Sequence, residues 1–260
     1  MPVSSHARAV GFRRLTVILL LLTSTVALLR LGPLAPDDPD PAATRSPGTP
    51  GSTENPLPEC TYADASVRLA GYADWTRTLV DTRFQLPPDY QPPDLVSTES
   101  AGFPGPFAVR DFLLEDLRAI REAAEAAGNP IDLAAAHRTF EQQATLFDQR
   151  EAQLGHDEAL KRVARPGHSE HQLGTTVDFK TAGAADVDTM WASTPAGAWT
   201  IEHAVEFGFV LSYPRGRQPT TCYLYEPWHF RYFGRQRARA IADSGLTVRE
   251  FLWREPNPRD

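Results

Sequence analysis

The sequence predicts an α+β fold, a single domain in which helices pack on a small antiparallel sheet. Three observations point there. Apolar residues recur at helical spacing in residues 111–127, with Leu113, Leu117, Ile120, Ala124 and Ala127 on one face. Short alternating runs such as Ile131, Leu133 and Ala135 have the period of strands. The order of these elements shows no long parallel crossovers, which an α/β sheet requires.

The elements follow in chain order. Residues 1–31 carry Arg8, Arg13, Arg14 and Arg30 and no acid, and residues 15–29 form an apolar run. A basic flank before such a run reads as a secretory signal or signal anchor, with the N-terminus in the cytoplasm. The run is shorter than the roughly 20 residues that span a bilayer comfortably. No small-x-small cleavage site follows it, however, and Arg30 can snorkel to the interface. The balance leans to an uncleaved anchor, and the lack of a Cys just after the run argues against a lipoprotein. Residues 32–58 hold eight Pro in 27 positions, the composition of an extended linker. At about 3.1 Å per residue such a linker reaches on the order of 80 Å. Residues 59–260 form the folded domain.

Within that domain, Gly128 stops the first helix, and the strand after it delivers His137 and Arg138. Thr139 with Gln142 is a capping-box signature for a helix through residue 153, with Gln143 in its first turn near Arg138. Pro166-Gly167 marks a turn. His171 is expected at the start of a strand pair. Val177 and Phe179 flank Asp178, so its carboxylate takes the opposite face. Thr194-Pro195 opens a helix through Phe207, closed by Gly208. Residues 209–212 and 223–230 read as strands, and 235–243 and 247–253 as closing helices.

Two motifs carry the chemistry. The first is Ser169-Glu170-His171-Gln172-Leu173-Gly174-Thr175-Thr176-Val177-Asp178; the second is Glu226-Pro227-Trp228-His229. The chain has seven His, and any one alone is more often a surface or core residue than a ligand. Two His with one Asp suit a catalytic zinc, which takes three protein ligands and keeps one position open. A carboxylate three residues before the last His suits a general base. His156, in a polar loop, and His203, in a helix, read as structural or solvated. His168 lies close enough to His171 to influence a substrate but is not nominated as a ligand. Trp228 is read as core packing.

The net charge of −7, from 33 acidic and 26 basic residues, argues against a nucleic-acid partner. Cys60 and Cys222 lie outside any C-x-x-C pair. In an exported chain they can bridge, closing a loop of about 160 residues worth nominally about 5 kcal/mol. Two free buried thiols are the alternative.

From about Tyr72 to Trp253 the chain resembles the VanY-type D-alanyl-D-alanine carboxypeptidases, zinc metallopeptidases related to lysostaphin and the hedgehog domain. The pattern S-x-H-x-x-G-x-x-x-D followed by E-x-W-H carries the resemblance. So do the stretches Leu79-Val80-Asp81, Leu86-Pro87-Pro88-Asp89-Tyr90, His137-Arg138-Thr139-Phe140-Glu141-Gln142-Gln143 and Gly208-Phe209-Val210-Leu211-Ser212-Tyr213-Pro214. Thr176 stands where the pattern commonly has Ala, a small residue in either case. The resemblance implies that His171, Asp178 and His229 bind Zn2+ and that Glu226 is the catalytic base. It implies that Arg138 holds the substrate carboxylate or the developing oxyanion, with Gln143 and Ser169 lining the same pocket. The implied partner is a peptidoglycan stem peptide, cut at its terminal D-Ala-D-Ala bond by an extracytoplasmic, wall-associated monomer. L,D-carboxypeptidase, endopeptidase and non-catalytic wall-binding readings stay open beside it.

Overall fold

Residues 56–256 are described by a computed structural model. The expected signal or anchor at 1–31 and nearly all of the expected linker at 32–58 lie outside the described residues. In chain order the elements are β1 (Ala65–Ser66), β2 (Phe84–Gln85), β3 (Leu95–Ser97), β4 (Ala108–Arg110) and α1 (Leu114–Ala126). There follow β5 (Ile131–Ala135), α2 (Phe140–Leu154), α3 (His156–Arg162), β6 (Thr176–Thr181), α4 (Pro195–His203) and β7 (Phe209–Leu211). The chain closes with α5 (Gln218–Thr221), β8 (His229–Tyr232), α6 (Arg235–Ser244) and α7 (Val248–Arg254). Strands β5-β6-β8-β7 form a four-stranded sheet in that order, antiparallel throughout. The pairs β1-β2 and β3-β4 are separate two-stranded additions. This is the mixed helix and small-sheet architecture expected.

Alternation along the strands builds the core. Val177 and Phe179 of β6 are buried with Phe209 and Phe230 against Leu117, Ile120 and Ala124 on one face of α1. Each large side chain so buried contributes about 1.5–3 kcal/mol. Asp178 takes the opposite face of β6. A second cluster, with Phe233, Ile241, Val248, Leu252 and Trp253, seats α6 and α7.

Local codes set the helix ends. Thr139 and Gln142 form the expected capping box on α2. Thr194 caps α4, with Pro195 in its first turn. The helix expected to run to Phe207 instead tightens into a 3-10 turn over Ala204–Phe207 before Gly208. Likewise, Asp111–Leu113 is a 3-10 turn ahead of α1.

Three expectations are corrected. The strand expected over 223–230 pairs only from His229 onward, as β8. Cys222 ends α5 with a left-handed φ of 72°, and Pro227 has no N–H to give a ladder, so residues 223–228 run as a loop. His171 does not open a strand pair. It sits in a 3-10 turn, Glu170–Leu173, capped by Ser169 Oγ, which accepts from His171 N at 3.3 Å. Gly174 ends that turn at φ 71°, where an added Cβ would meet Leu95 Cδ2 at 2.9 Å and Arg110 Cγ at 3.0 Å. His156 opens α3 rather than lying in a loop.

Cys60 and Cys222 are bridged, with Cα atoms 5.2 Å apart. Buried Arg249 ties the same two segments: it donates to Thr220 O and Pro58 O, each at 3.0 Å, and to Asp81 Oδ2 at 2.6 Å. Among the described residues no helix is long and apolar enough to cross a membrane.

Candidate metal centre and active site

Four pieces of chain converge on one face of the sheet, over its two central strands. The turn before β6 presents His171, β6 presents Asp178, β8 presents His229 and the loop before β8 presents Glu226. Asp178 and His229 are direct cross-strand partners, while Val177 and Phe230 pair on the core face. On the other side of β6, β5 shifts register between Leu133 and Ala135, and the chain then turns to bring Arg138 back over the site.

One carboxylate oxygen organises the donors. Asp178 Oδ1 lies 3.3 Å from His171 Nε2 and 3.3 Å from His229 Nδ1. The two rings stand nearly perpendicular, centroids 4.9 Å apart. Each ring is anchored by its other nitrogen: His171 Nδ1 donates to Ala136 O at 2.6 Å, and His229 Nε2 faces Glu170 Oε2 at 3.0 Å. His171 Nε2 and Asp178 Oδ1 are buried without a hydrogen-bond partner. Buried polar atoms rarely go unpaired, so these two call for a further partner. The three ligand atoms lie within 4.8 Å of one another. A tetrahedral ion with N and O ligands at about 2.0–2.2 Å sets neighbouring donors about 3.3–3.5 Å apart. The donor set therefore fits zinc in type and count, and both distances to Asp178 Oδ1 match that spacing.

The electrostatics favour a cation. Burial and the nearby Arg138 charge hold His171 down at about 4. Burial alone would also lower His229, but its bonds to Asp178 and Glu170 push it up to about 10. Burial opposes the ionised form of Asp178, yet the two imidazoles hold its carboxyl well below the ordinary range. Glu226 behaves oppositely: burial pushes it up to about 7. Its Oε2 lies 3.5 Å from His229 Nδ1, beside the donors.

Arg138, Gln143, Ser169, Asp178, Glu226 and His229 all line a cavity of about 250 Å³. His171 lies behind it, fully buried. Arg138 Nε donates to Gln143 Oε1 at 2.9 Å, and Gln143 is held in turn by donating to Ala164 O at 2.7 Å. Arg138 NH1 lies 3.9 Å from Asp178 Oδ2. Every candidate from the sequence is thus in one place. Trp228 packs on the core as expected and also lines the cavity. His168 is directed elsewhere, its ring nitrogens facing Asp81 O at 2.7 Å and Asp64 Oδ1 at 3.2 Å. His156 and His203 pair with Glu151 and Glu206, away from the site.

The sequence reading missed Glu170, Arg231 and Tyr213. Glu170 accepts from Arg231 NH1 at 2.9 Å and from Ser212 Oγ at 2.7 Å. Burial works against its charge, yet Arg231 and His229 hold it down to about 2. A signal existed: His229 and Arg231 are two apart on one strand and so share a face. Tyr213 lines the cavity with its ring 4.6 Å from that of His229.

The model of the VanY family, D-alanyl-D-alanine carboxypeptidase, matches residues 107–235. A putative carboxypeptidase YodJ of Bacillus subtilis (strain 168) is 32% identical over 179 residues, covering 67% of this chain and 66% of that protein. The LdcB LD-carboxypeptidase structure aligns with a TM-score of 0.62 and 30% identity, over 68% of this chain and 86% of that one. A mutant of the vancomycin-resistance D,D-pentapeptidase VanY, in complex with Zn(II), aligns with a TM-score of 0.59 and 29% identity, over 68% and 99%.

Proposed function

The chain belongs to the VanY family of D-alanyl-D-alanine carboxypeptidases, and from that premise we propose that it removes the C-terminal D-Ala of peptidoglycan stem peptides. The observation that carries this is the cluster of two imidazoles and a carboxylate beside buried Glu226, opening on a cavity that also holds Arg138. Zinc is the cofactor, and His171 Nε2, Asp178 and His229 Nδ1 would hold it. When bound, it polarises the scissile carbonyl and lowers the pKa of a bound water towards about 7.

The residues of the chain do the rest. Glu226 takes the proton of the attacking water and hands it to the leaving amine. Its buried setting favours accepting and keeping that proton between the two steps. Arg138 meets the terminal carboxylate of the substrate, its guanidinium held by Gln143. Ser169 lines the same cavity and caps the turn that carries His171. The Cys60–Cys222 bridge and the basic, apolar N-terminal segment support work outside the cytoplasm, on the cell wall. The likeness to LdcB supports an L,D-carboxypeptidase as the second reading, with the same residues acting on a tetrapeptide. Incubating the protein with pentapeptide, tetrapeptide and crosslinked stems, and weighing the products, separates these activities. Loss of one D-Ala from the pentapeptide alone is the expected result.

Two further outcomes follow from the assignments. The parent is expected to bind one zinc per chain, and a His171→Ala, His229→Ala double variant to lose it. Metal analysis decides, and full occupancy in the double variant would overturn the ligand set. Arg138→Lys is expected to lose much of the activity, since an ammonium cannot reproduce the planar fork. Amidating the substrate C-terminus should then impair the parent far more than the variant. Equal sensitivity in both would remove Arg138 from carboxylate recognition.

A further inference from the structure

We propose that Glu170 is the positioning residue of the metal centre: its carboxylate dictates which nitrogen of His229 faces the metal. Either nitrogen of a neutral imidazole can be a ligand, and the choice is set by what the other one bonds. An ionised carboxylate only accepts hydrogen bonds. With Glu170 Oε2 at 3.0 Å, His229 Nε2 therefore carries a proton, and the lone pair falls on Nδ1, 3.3 Å from Asp178 Oδ1. The inference rests on the ligand role proposed above for His229.

The carboxylate is itself clamped. Oε1 accepts from Arg231 NH1 at 2.9 Å, and Oε2 also accepts from Ser212 Oγ at 2.7 Å. Arg231 cannot swing, because its NH2 donates to Trp75 O at 2.7 Å and Thr78 O at 2.8 Å. Arg231 is fully buried and Glu170 is 3% exposed. Three separate parts of the chain thus fix the orientation of one oxygen pair. The two imidazoles are not equivalent in this respect. His171 is set by a neutral backbone carbonyl, Ala136 O, whereas His229 is set by a charged side chain. Glu170 sits between Ser169, on the cavity wall, and His171, so one turn serves substrate and both histidines. A buried ion pair kept for fold alone would have no reason to place an oxygen on a ligand histidine.

Glu170→Gln tests this. The amide keeps the volume, but its NH2 must face at least one of the three donors that now meet the carboxylate. The variant is expected to fold and to bind zinc about 10- to 100-fold more weakly, read by chelator competition. In the zinc-loaded parent, nitrogen-15 spectra of labelled histidine should show His229 bound through Nδ1, with a slowly exchanging proton on Nε2. That second measurement decides the matter even if the variant does not fold. Unchanged zinc affinity in the folded variant, or His229 bound through Nε2, overturns the positioning role alone. A parent that takes up no zinc overturns both this role and the reading beneath it.

Discussion

Glu226→Gln is expected to cut hydrolysis at least about 100-fold, the low end of what a positioned base contributes, while zinc stays stoichiometric. The substitution preserves size and removes only the ability to take a proton. Glu226 is not among the three clustered ligands, so the metal should remain. Its main chain is anchored independently, with Glu226 N donating to Tyr213 O at 3.2 Å, so the loop should hold its shape. The loss should fall on kcat, since substrate recognition is assigned to Arg138, Gln143 and Ser169. Steady-state kinetics on a pentapeptide, with metal analysis of the same sample, give both quantities. Hydrolysis near the parent rate would show that another group is the base.

Removing the bridge is expected to have the largest effect on stability. Cys60 and Cys222 are 162 residues apart, and closing so long a loop is worth about 5 kcal/mol in the chain-entropy model. A Cys60→Ala, Cys222→Ala variant should therefore unfold at a much lower denaturant midpoint. Its folded form should keep the site. Arg249 holds Pro58 and Thr220 by their carbonyl oxygens, so the two strands of chain stay together without the sulfurs. The parent, made in an oxidising compartment and then denatured, should show no free thiol. Two titratable thiols, or an unchanged midpoint in the variant, would defeat the expectation.

What could be read in the sequence was local. The capping box on α2, Pro195 opening α4 and the alternation around Asp178 are each decided by neighbours in sequence. The candidate ligands and base were equally legible, because each motif confines its members to a few positions. The loop at 223–228 was misread because Tyr223 and Tyr225 have strand propensity, whereas Pro227 and left-handed Cys222 decide the backbone. Glu170 escaped notice because its meaning depends on partners 42, 59 and 61 residues away, at Ser212, His229 and Arg231. The small pairs β1-β2 and β3-β4 are two or three residues long, too short for any period to register.

The pairing of Asp178 with His229 has a consequence for how the chain reaches its native state. The same β6-β8 register that seats these two residues side by side also seats Val177 against Phe230 in the core. A slip of one residue would turn every side chain of the strand to the wrong face, so it would scatter the ligands and expose the aromatic core together. A metal held by these two residues would bind only the correct register, and by mass action it would draw misaligned chains towards that pairing. Zinc supplied during refolding should raise the yield of native protein, beyond what it does for protein already folded.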